Sequence, residues 1–381
     1  MSAEMATGVG TSRATAVVDV GAIQRNCARL RSELAEGTEL CAVVKADGYG
    51  HGAVETGRAA MAGGAGWLAV ATGQEAAELR AALPDAAILT MGALTLADVD
   101  LALGARAEVA LWHREFLAAI AERGAALGVR PRIHVKYDTG MGRLGSRDPR
   151  AVSELLSAVA DDDRVELAAL WTHFATADEP GSAFFDEQLA RFNELAQALR
   201  VEHPGLKLHA ANSAATLRDR RSHFDLVRCG VAVYGLDPFQ EDPYTRGLEP
   251  ALSLHSYVAD VKPFESGASA GYGQLWRAPG NTWVGVLPIG YGDGVRRALT
   301  NNAEVLVDGR RQPLVGTVSM DNITIDLGPN TEVEPGAPAV LIGAQNGERI
   351  LCEEVARRLA TINYEITCGI SDRVPRVYVG T

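Results

Sequence analysis

The sequence lacks the features that mark several common classes of protein. It has only five cysteines, an odd number with no C-x-x-C pair, so neither a disulfide framework nor a zinc or redox motif is indicated. The longest uncharged stretch, 59–74, contains four glycines and is too poor in large apolar residues to span a bilayer. Segment 1–12 has no basic residue and no apolar run, unlike a secretory signal. We therefore expect reduced thiols, a cytoplasmic location and no membrane segment.

Basic residues are also in short supply. Lysine and arginine number 36 against 48 aspartates and glutamates, which gives a net charge of -12. This is the wrong sign for coating a nucleic-acid backbone or an anionic membrane, so a small-molecule partner is favoured and no nucleic-acid partner is expected. Hydrophobic residues make up 47% and charged residues 22%, as in ordinary folded chains. A length of 381 residues favours one large domain with a smaller one.

Short apolar runs alternate with helical patterns over the first part of the chain. Eight such runs occur, at 41–44, 67–71, 87–91, 108–112, 132–137, 165–171, 207–211 and 225–229. Helical spacing of apolar residues lies between them, for example over 75–82, 114–126 and 151–160. Eight strand–helix units over roughly 200 residues favour an α/β fold with a closed (β/α)8 TIM barrel, and an open doubly wound sheet is the alternative.

The pattern changes after about residue 237, where strand-like alternation and the turn signals Asp308-Gly309 and Asn346-Gly347 dominate. Segment 13–20 reads as a strand with no barrel partner. We predict three regions: 1–18 as an N-terminal strand packing on the C-terminal domain, 19–245 as the barrel, and 246–381 as a mostly β C-terminal domain.

The sharpest motif is Val44-Lys45-Ala-Asp-Gly-Tyr49-Gly-His-Gly52. A lysine directly after an apolar run is expected at the carboxyl end of the first barrel strand, where barrel enzymes keep their active sites. Partial burial there favours the neutral amine that forms a Schiff base with a carbonyl cofactor. A lysine extending to solvent beside a flexible turn is the alternative. The glycine spacing is not that of a dinucleotide fingerprint.

Eight further blocks occur in order from the barrel region to near the C-terminus. They are Asp138-Thr-Gly-Met-Gly-Arg143-Leu-Gly, Trp171-Thr-His173-Phe-Ala, Ala211-Asn-Ser213-Ala, Val227-Arg228-Cys-Gly230, Ala270-Gly-Tyr272-Gly, Gly290-Tyr291-Gly-Asp-Gly, Ser319-Met320-Asp321 and Asn363-Tyr364-Glu-Ile. Together with the motif at Lys45, these blocks resemble the alanine racemases, which use pyridoxal 5'-phosphate.

The resemblance implies that Lys45 forms the Schiff base and serves as the base on one face of the cofactor. It implies Tyr272, from the other subunit of a head-to-tail homodimer, as the base on the opposite face. Because racemisation removes a proton from one face and returns one to the other, two acid–base groups must flank the substrate. A phenol titrates near about 10, so it needs cationic and hydrogen-bonding support. His173 and Arg228 are implied to give that support, with Arg228 also facing the cofactor's ring nitrogen.

The resemblance also implies the residues that bind phosphate and substrate. The phosphate ligands are the Ser213 hydroxyl, the amides of Gly230 and Val231, and the hydroxyls of Tyr49 and Tyr364. For Ser213 and Gly230 this agrees with their places after the seventh and eighth runs, where barrels commonly bind phosphate.

Four further residues are implied around the substrate. Arg143 reaches the cofactor's phenolic oxygen and the substrate carboxylate. The Met320 amide and Tyr291, both from the second subunit, bind the carboxylate and line the site. Lys136 matches a lysine that is carbamylated in many members and then orients Arg143. No metal is expected.

The expected function is interconversion of L-alanine and D-alanine by a two-base mechanism, which supplies D-alanine for peptidoglycan synthesis. One alternative is a racemase of the same fold for serine, lysine or arginine. Another is a non-catalytic pyridoxal-phosphate carrier, which needs neither Tyr272 nor the C-terminal domain. A related barrel decarboxylase fits less well, because it should place a carboxylate where Arg228 stands.

Overall fold

The computed structural model describes residues 12–380. Most of the segment that we interpret as lacking a secretory signal, residues 1–11, therefore lies outside the described residues. The chain divides into two compact units. One is Ile23–Val233, and the other combines the described residues up to Ala22 with those from Tyr234 onward.

The first unit is a closed barrel of eight parallel strands. The chain begins with β1 (Thr15–Asp19) and α1 (Val20–Glu33) before it enters the barrel. The barrel strands are β2 (Glu39–Val43), β3 (Trp67–Val70), β4 (Ala87–Thr90), β5 (Glu108–Leu111), β6 (Arg132–Lys136), β7 (Glu166–Trp171), β8 (Lys207–His209) and β9 (Leu226–Cys229). The last strand pairs with the first, Cys41 opposite Arg228. The predicted TIM barrel is confirmed, and the open doubly wound sheet is wrong.

Helices connect these strands. They are α2 (Lys45–Tyr49), α3 (Ala53–Ala62), α4 (Gly73–Ala82), α5 (Leu96–Gly104), α6 (Arg114–Leu127), α7 (Pro149–Ala160), α8 (Phe184–Glu202) and α9 (Ser213–Arg218). The side chains of Thr72 and Thr95 cap α4 and α5 in reciprocal capping boxes with Glu75 and Asp98. Within residues 12–380, no helix has both the length and the apolar character needed to cross a membrane.

The second unit is mostly β-sheet. Its strands are β10 (Leu252–Tyr257), β11 (Asp260–Phe264), β12 (Ser269–Ala270), β13 (Trp276–Arg277), β14 (Thr282–Leu287), β15 (Glu304–Val307), β16 (Arg310–Pro313), β17 (Ile323–Gly328), β18 (Pro338–Gln345), β19 (Glu348–Ile350) and β20 (Arg376–Val379). Two short helices, α10 (Cys352–Arg358) and α11 (Asn363–Cys368), precede β20.

The largest sheet of this unit contains the strand that opens the described chain. β1 lies between β10, with which it pairs antiparallel, and β20, with which it pairs in parallel. Val17, for example, is opposite both Ser253 and Val377. β11, β14 and β17 form a three-stranded sheet, and β12 and β13 form a two-stranded one. The loops around these smaller sheets carry three of the predicted site residues.

Gly235 provides a test of the packing in the second unit. Its φ is +71°, and a Cβ there would lie 1.7 Å from the carbonyl oxygen of Glu249. Gly267 has a similar φ of +87°, but a Cβ there meets no described atom within 4 Å. We expect Gly267→Ala to lower the free energy of unfolding by about 1–2 kcal/mol, the cost of the left-handed backbone alone. Gly235→Ala should add an overpacking cost, for a total of about 2–5 kcal/mol.

Urea unfolding of both variants, followed by fluorescence, measures this difference. Equal losses in the two variants would contradict the close approach of Glu249.

Candidate active site

The carboxyl ends of the barrel strands carry most of the predicted site residues. Lys45 follows β2, Lys136 ends β6, His173 follows β7, and Ser213 follows β8. Arg228 lies within β9. Because the strands of a closed parallel barrel end at the same face, the fold brings these side chains to one mouth.

The backbone after Lys45 is a left-handed turn. Ala46 has φ 52° and ψ 51°, and Asp47 has φ 50° and ψ 53°. Residues other than glycine rarely adopt this conformation. Glu75 holds the turn, since its Oε1 accepts the Ala46 N–H at 2.7 Å while Oε2 accepts the Ala71 N–H at 2.8 Å. The surrounding contacts thus stabilise a strained segment directly beside Lys45, as is common at functional sites.

The end of this turn brings Tyr49 against Gly230. A Cβ on Gly230 would lie 2.4 Å from the Tyr49 hydroxyl, so only glycine fits there. The Ser213 hydroxyl accepts the Gly230 N–H at 3.0 Å and the Ala232 N–H at 3.4 Å. Val231 begins a 3-10 turn that runs to Tyr234. Hydroxyl and amide groups therefore converge beside the end of β9.

Arg228 is a buried cation, only 3% exposed, with a large set of partners. Its Nη1 donates to His209 Nδ1 at 2.8 Å, and its Nη2 donates to the carbonyls of Thr172 at 2.8 Å and Ala210 at 3.1 Å. A longer bond of 3.4 Å reaches His173 Nδ1. Burial lowers the pKa of Arg228 to about 10, so the guanidinium stays charged at neutral pH.

His173 is neutral in this environment. Burial lowers its pKa well below the ordinary value, and the charges of Arg228, Arg143, Lys136 and Lys45 lower it further. Because Nδ1 accepts from Arg228, the single proton of the ring is on Nε2. His173 is therefore a hydrogen-bond donor through Nε2. The two arginines, with the two lysines beside them, favour an anionic ligand at this mouth.

Lys136 and Arg228 both lie over the ring of Trp171. The Lys136 Nζ lies 4.0 Å from the centroid of the Trp171 ring, and the Arg228 Cζ lies 4.9 Å from it. Burial lowers the pKa of Lys136 to about 7, and the charges of Arg228 and Arg143 contribute. A large fraction of its amine is therefore unprotonated and nucleophilic at neutral pH.

Asp138 organises the glycine-rich turn that presents Arg143. Its carboxylate accepts the N–H groups of Gly140 at 3.0 Å and Gly142 at 2.9 Å, and the Arg147 Nε donates to it at 3.3 Å. Burial raises the pKa of Asp138, but these hydrogen bonds outweigh burial and hold it below its usual range. Asp138 is thus a charged anchor, and Arg143 itself is exposed on the turn.

Three predicted site residues lie together in the second unit. Tyr272, Tyr291 and Met320 are 72%, 44% and 51% exposed, which is unusual for side chains of this size. Tyr291 N–H donates to the Ser319 carbonyl at 2.9 Å, and the Thr317 hydroxyl donates to the Tyr272 carbonyl at 2.5 Å. The segment 316–320 therefore links the loops that carry these three exposed residues.

Asp293 is a buried carboxylate that holds the loop carrying Tyr291. It is 1% exposed, accepts the Gly290 N–H at 2.9 Å, and pairs with Arg13 at 2.5 Å and Arg373 at 3.4 Å. Arg373 also pairs with Asp321, beside Met320, at 2.5 Å. Arg13 also lies 3.7 Å from Asp321, so two arginines link the loops that carry Tyr291 and Met320.

Tyr364, the fourth predicted residue of this unit, is half-buried near the start of α11. Its neighbour Asn363 is fully buried, and the Asn363 Nδ2 donates at 2.8 Å to both the Asp237 carbonyl and Glu353 Oε1. Gln240 completes the set with two further bonds, of 2.9 and 3.0 Å. These contacts fix the position of the backbone that carries Tyr364.

Several polar residues that support the site were not predicted from the sequence. Glu75, Asp138, Asn363, Glu108, His134 and His209 are all partners of site residues or belong to their hydrogen-bonded network. The last three could have been found, because a polar residue inside an apolar strand run is buried and must be hydrogen-bonded. Among residues 12–380 no three histidine, cysteine, aspartate or glutamate side chains cluster as a metal site.

Comparison with known proteins agrees with this architecture. Residues 18–238 match the family described as alanine racemase, N-terminal domain, and residues 251–378 match alanine racemase, C-terminal domain. The alanine racemase of Symbiobacterium thermophilum is 41% identical over 367 residues, which cover 96% of this chain and 97% of that protein.

Solved structures give the same result. The alanine racemase of Streptomyces coelicolor A3(2) superposes with a TM-score of 0.91 at 39% identity, covering 97% of this chain and 98% of that one. The enzyme of D-cycloserine-producing Streptomyces lavendulae superposes with a TM-score of 0.92 at 37% identity, with the same coverage of both chains.

The fold and the site define a barrel enzyme with a cationic mouth and a separate β unit. The chain belongs to the alanine racemase family, a family of isomerases.

Proposed function

We propose that this chain interconverts L-alanine and D-alanine with pyridoxal 5'-phosphate as cofactor. One observation carries the proposal: a lysine, a buried arginine and a hydroxyl–amide cradle share a single barrel mouth. Lys45, Lys136, Arg143 and Arg228 all act electrostatically on His173. Such a mouth suits a phosphate and a carboxylate, which are the anionic groups of this cofactor and of an amino acid.

The residues present fit the cofactor. The Ser213 hydroxyl, the Gly230 and Val231 amides and the Tyr49 and Tyr364 hydroxyls would hold the phosphate. The close approach of the Tyr49 hydroxyl to Gly230 supports this, because it leaves no room for a Cβ between the phosphate ligands. Lys45 would bind the aldehyde carbon, and Arg228 would donate to the ring nitrogen. When bound, the cofactor supplies a conjugated ring that accepts the electron pair left on the substrate's α-carbon.

Two bases would act on the α-proton. Lys45 would remove or return it on one face of the substrate, and Tyr272 of the partner subunit would do so on the other. His173, neutral and protonated at Nε2, would donate to the phenolic oxygen of that tyrosine. Arg228, through its bond to His173 Nδ1, would keep the ring in this tautomer.

The substrate carboxylate would bind Arg143 of one subunit and the Met320 amide of the partner subunit, with Tyr291 of the partner subunit as a wall of the site. Arginine suits a planar carboxylate because its N–H groups are fixed in a fork. The anchoring of the Arg143 turn by Asp138 supports this assignment, since it reduces the ordering cost on binding.

A head-to-tail homodimer would complete the site. The exposure of Tyr272, Tyr291 and Met320 on linked loops supports this, because large side chains that project from a fixed loop are typical of contact surfaces. We further propose that the enzyme acts in the cytoplasm and supplies D-alanine for peptidoglycan synthesis.

Lys136 is proposed to carry a carbamate that orients Arg143. The amine nitrogen would bond to the carbon of carbon dioxide and release one proton, and only the unprotonated amine reacts. With a pKa of about 7, Lys136 has that form in quantity at pH 8. We expect a carbamate resonance from carbon-13 bicarbonate at pH 8 and its loss at pH 6. Lys136→Arg, which stays charged, is the control, and a signal that persists in that variant would contradict the assignment.

The activity itself is tested with purified protein that has been dialysed with or without pyridoxal phosphate. Each preparation is then incubated in heavy water with one L-amino acid at a time. We expect loss of optical activity and α-proton exchange for L-alanine only with the cofactor. Faster exchange of serine, lysine or arginine would give a racemase of another specificity. Cofactor binding without exchange of any amino acid would indicate a carrier.

The two-base assignment predicts opposite defects in two variants. Lys45→Ala and Tyr272→Ala should each slow α-proton removal from a different enantiomer of alanine, by about a hundredfold or more. Exchange in heavy water is measured separately from L-alanine and D-alanine. Equal losses for both enantiomers in both variants would be inconsistent with one base on each face.

A further inference from the structure

A chain of buried side chains connects Arg228 to the opposite end of the barrel strands. The Arg228 Nη1 bonds to His209 Nδ1 at 2.8 Å, His209 Nε2 bonds to His134 Nδ1 at 2.8 Å, and His134 Nε2 bonds to Glu108 Oε2 at 2.6 Å. The two histidines are 0% and 2% exposed, and Glu108 is 8% exposed. We call these four residues the Glu108 chain.

The Glu108 chain crosses the interior of the barrel. His134 lies on β6 and His209 on β8, and β7 separates these strands in the sheet. Side chains of non-adjacent strands can touch only across the interior of a closed barrel. The rings are also fixed by packing, since His209 stacks on Trp171 with centroids 5.6 Å apart.

The donors and acceptors of the chain run in one direction. Arginine can only donate hydrogen bonds, so Arg228 donates and His209 Nδ1 carries no proton. The proton of neutral His209 is then on Nε2 and is donated to His134 Nδ1, which likewise carries no proton. The remaining proton of His134, on Nε2, is donated to the Glu108 carboxylate. Each ring has a single allowed tautomer in this arrangement.

Glu108 is the carboxylate that ends the chain. Its other oxygen accepts from Arg132 at 2.9 Å, and Arg132 also pairs with Glu166 at 3.1 Å. At the opposite end, Arg228 donates to carbonyls and imidazoles, which are neutral. The negative charge of Glu108 is thus connected to the buried positive charge of Arg228 through two neutral imidazole rings.

We propose that Glu108 is a positioning residue for the racemase reaction. Acting through His134 and His209, it keeps His209 Nδ1 unprotonated, so that this nitrogen accepts a hydrogen bond from the Arg228 guanidinium. The inference rests on the proposed function, in which Arg228 faces the cofactor's ring nitrogen. A carboxylate only accepts hydrogen bonds, so it permits only one direction of the chain.

An amide at position 108 removes this restriction. Glutamine presents either an oxygen or an NH₂ group to His134, so the chain can also run in reverse. In the reverse order, His209 carries its proton on Nδ1, where it opposes an N–H of Arg228. That contact replaces a hydrogen bond to a charged donor with a repulsion inside a buried site.

The test compares Glu108→Gln with Glu166→Gln. Both variants remove a carboxylate partner of Arg132, but only Glu108 contacts His134. Long-range proton–nitrogen correlation spectra of histidine-labelled protein report the tautomer of each ring, with His134→Gln and His209→Gln used for assignment. We expect both rings to be Nε2-protonated in the wild type and in Glu166→Gln, and a mixture of tautomers in Glu108→Gln.

Kinetics give the second measurement. We expect Glu108→Gln to lower kcat about tenfold with a change in KM for alanine below about twofold, since the lesion lies behind Arg228 and not at the carboxylate site. Glu166→Gln should leave kcat and KM unchanged. Glu108→Asp retains the charge, so its kcat should be higher than that of Glu108→Gln and its histidine tautomers should be those of the wild type.

Several outcomes would overturn the proposal: an Nδ1-protonated ring in the wild type, unchanged tautomers in Glu108→Gln, or an unchanged kcat despite altered tautomers. If Glu108→Gln does not fold, the wild-type tautomers and Glu108→Asp decide the question. A wild type that does not exchange the α-proton of alanine refutes the proposed function separately, because the spectra do not depend on activity.

Discussion

The burial of one guanidinium is the constraint on which the rest of the site depends. Removing a charge from water is costly unless every donor finds an acceptor. Arg228 offsets this cost by donating to two carbonyls and two imidazoles and by lying over the Trp171 ring. These partners come from the ends of β7 and β8, so the barrel must close before the charge can be accommodated. Burial lowers the pKa of Lys136 and of His173, and the same cation lowers both further.

Polar side chains hold the other functional segments in the same way. Glu75 stabilises the left-handed turn beside Lys45, and Asp138 holds the turn that presents Arg143. In the second unit Asp293 ties down the Tyr291 loop, and Asn363 fixes the backbone before Tyr364. Each anchor satisfies backbone groups that would otherwise need water. The site residues are therefore held in place before any ligand arrives, which reduces the ordering cost of binding.

Features that depend on residues close together in the sequence could be predicted, and features that depend on residues far apart could not. The apolar run 108–112 predicted β5 (Glu108–Leu111), and the other seven runs overlap the remaining barrel strands. Thr72 and Glu75 form a capping box over three residues, a purely local signal. The bond between His134 and His209 joins residues 75 positions apart, and neither stands in a recognisable motif. The left-handed turn was also not predicted, because Ala46 and Asp47 do not favour that conformation by themselves.

The sequence alone determined the alternation of strands and helices, the change to β-rich structure after the barrel, and the lysine, arginine and glycine motifs at the strand ends. These depend on local periodicity and turn chemistry, which act over a few residues. Only the tertiary structure decided the protonation of His173, the low pKa of Lys136 and the direction of the Glu108 chain. Those properties depend on burial and on charges from distant strands, and both arise when the barrel closes.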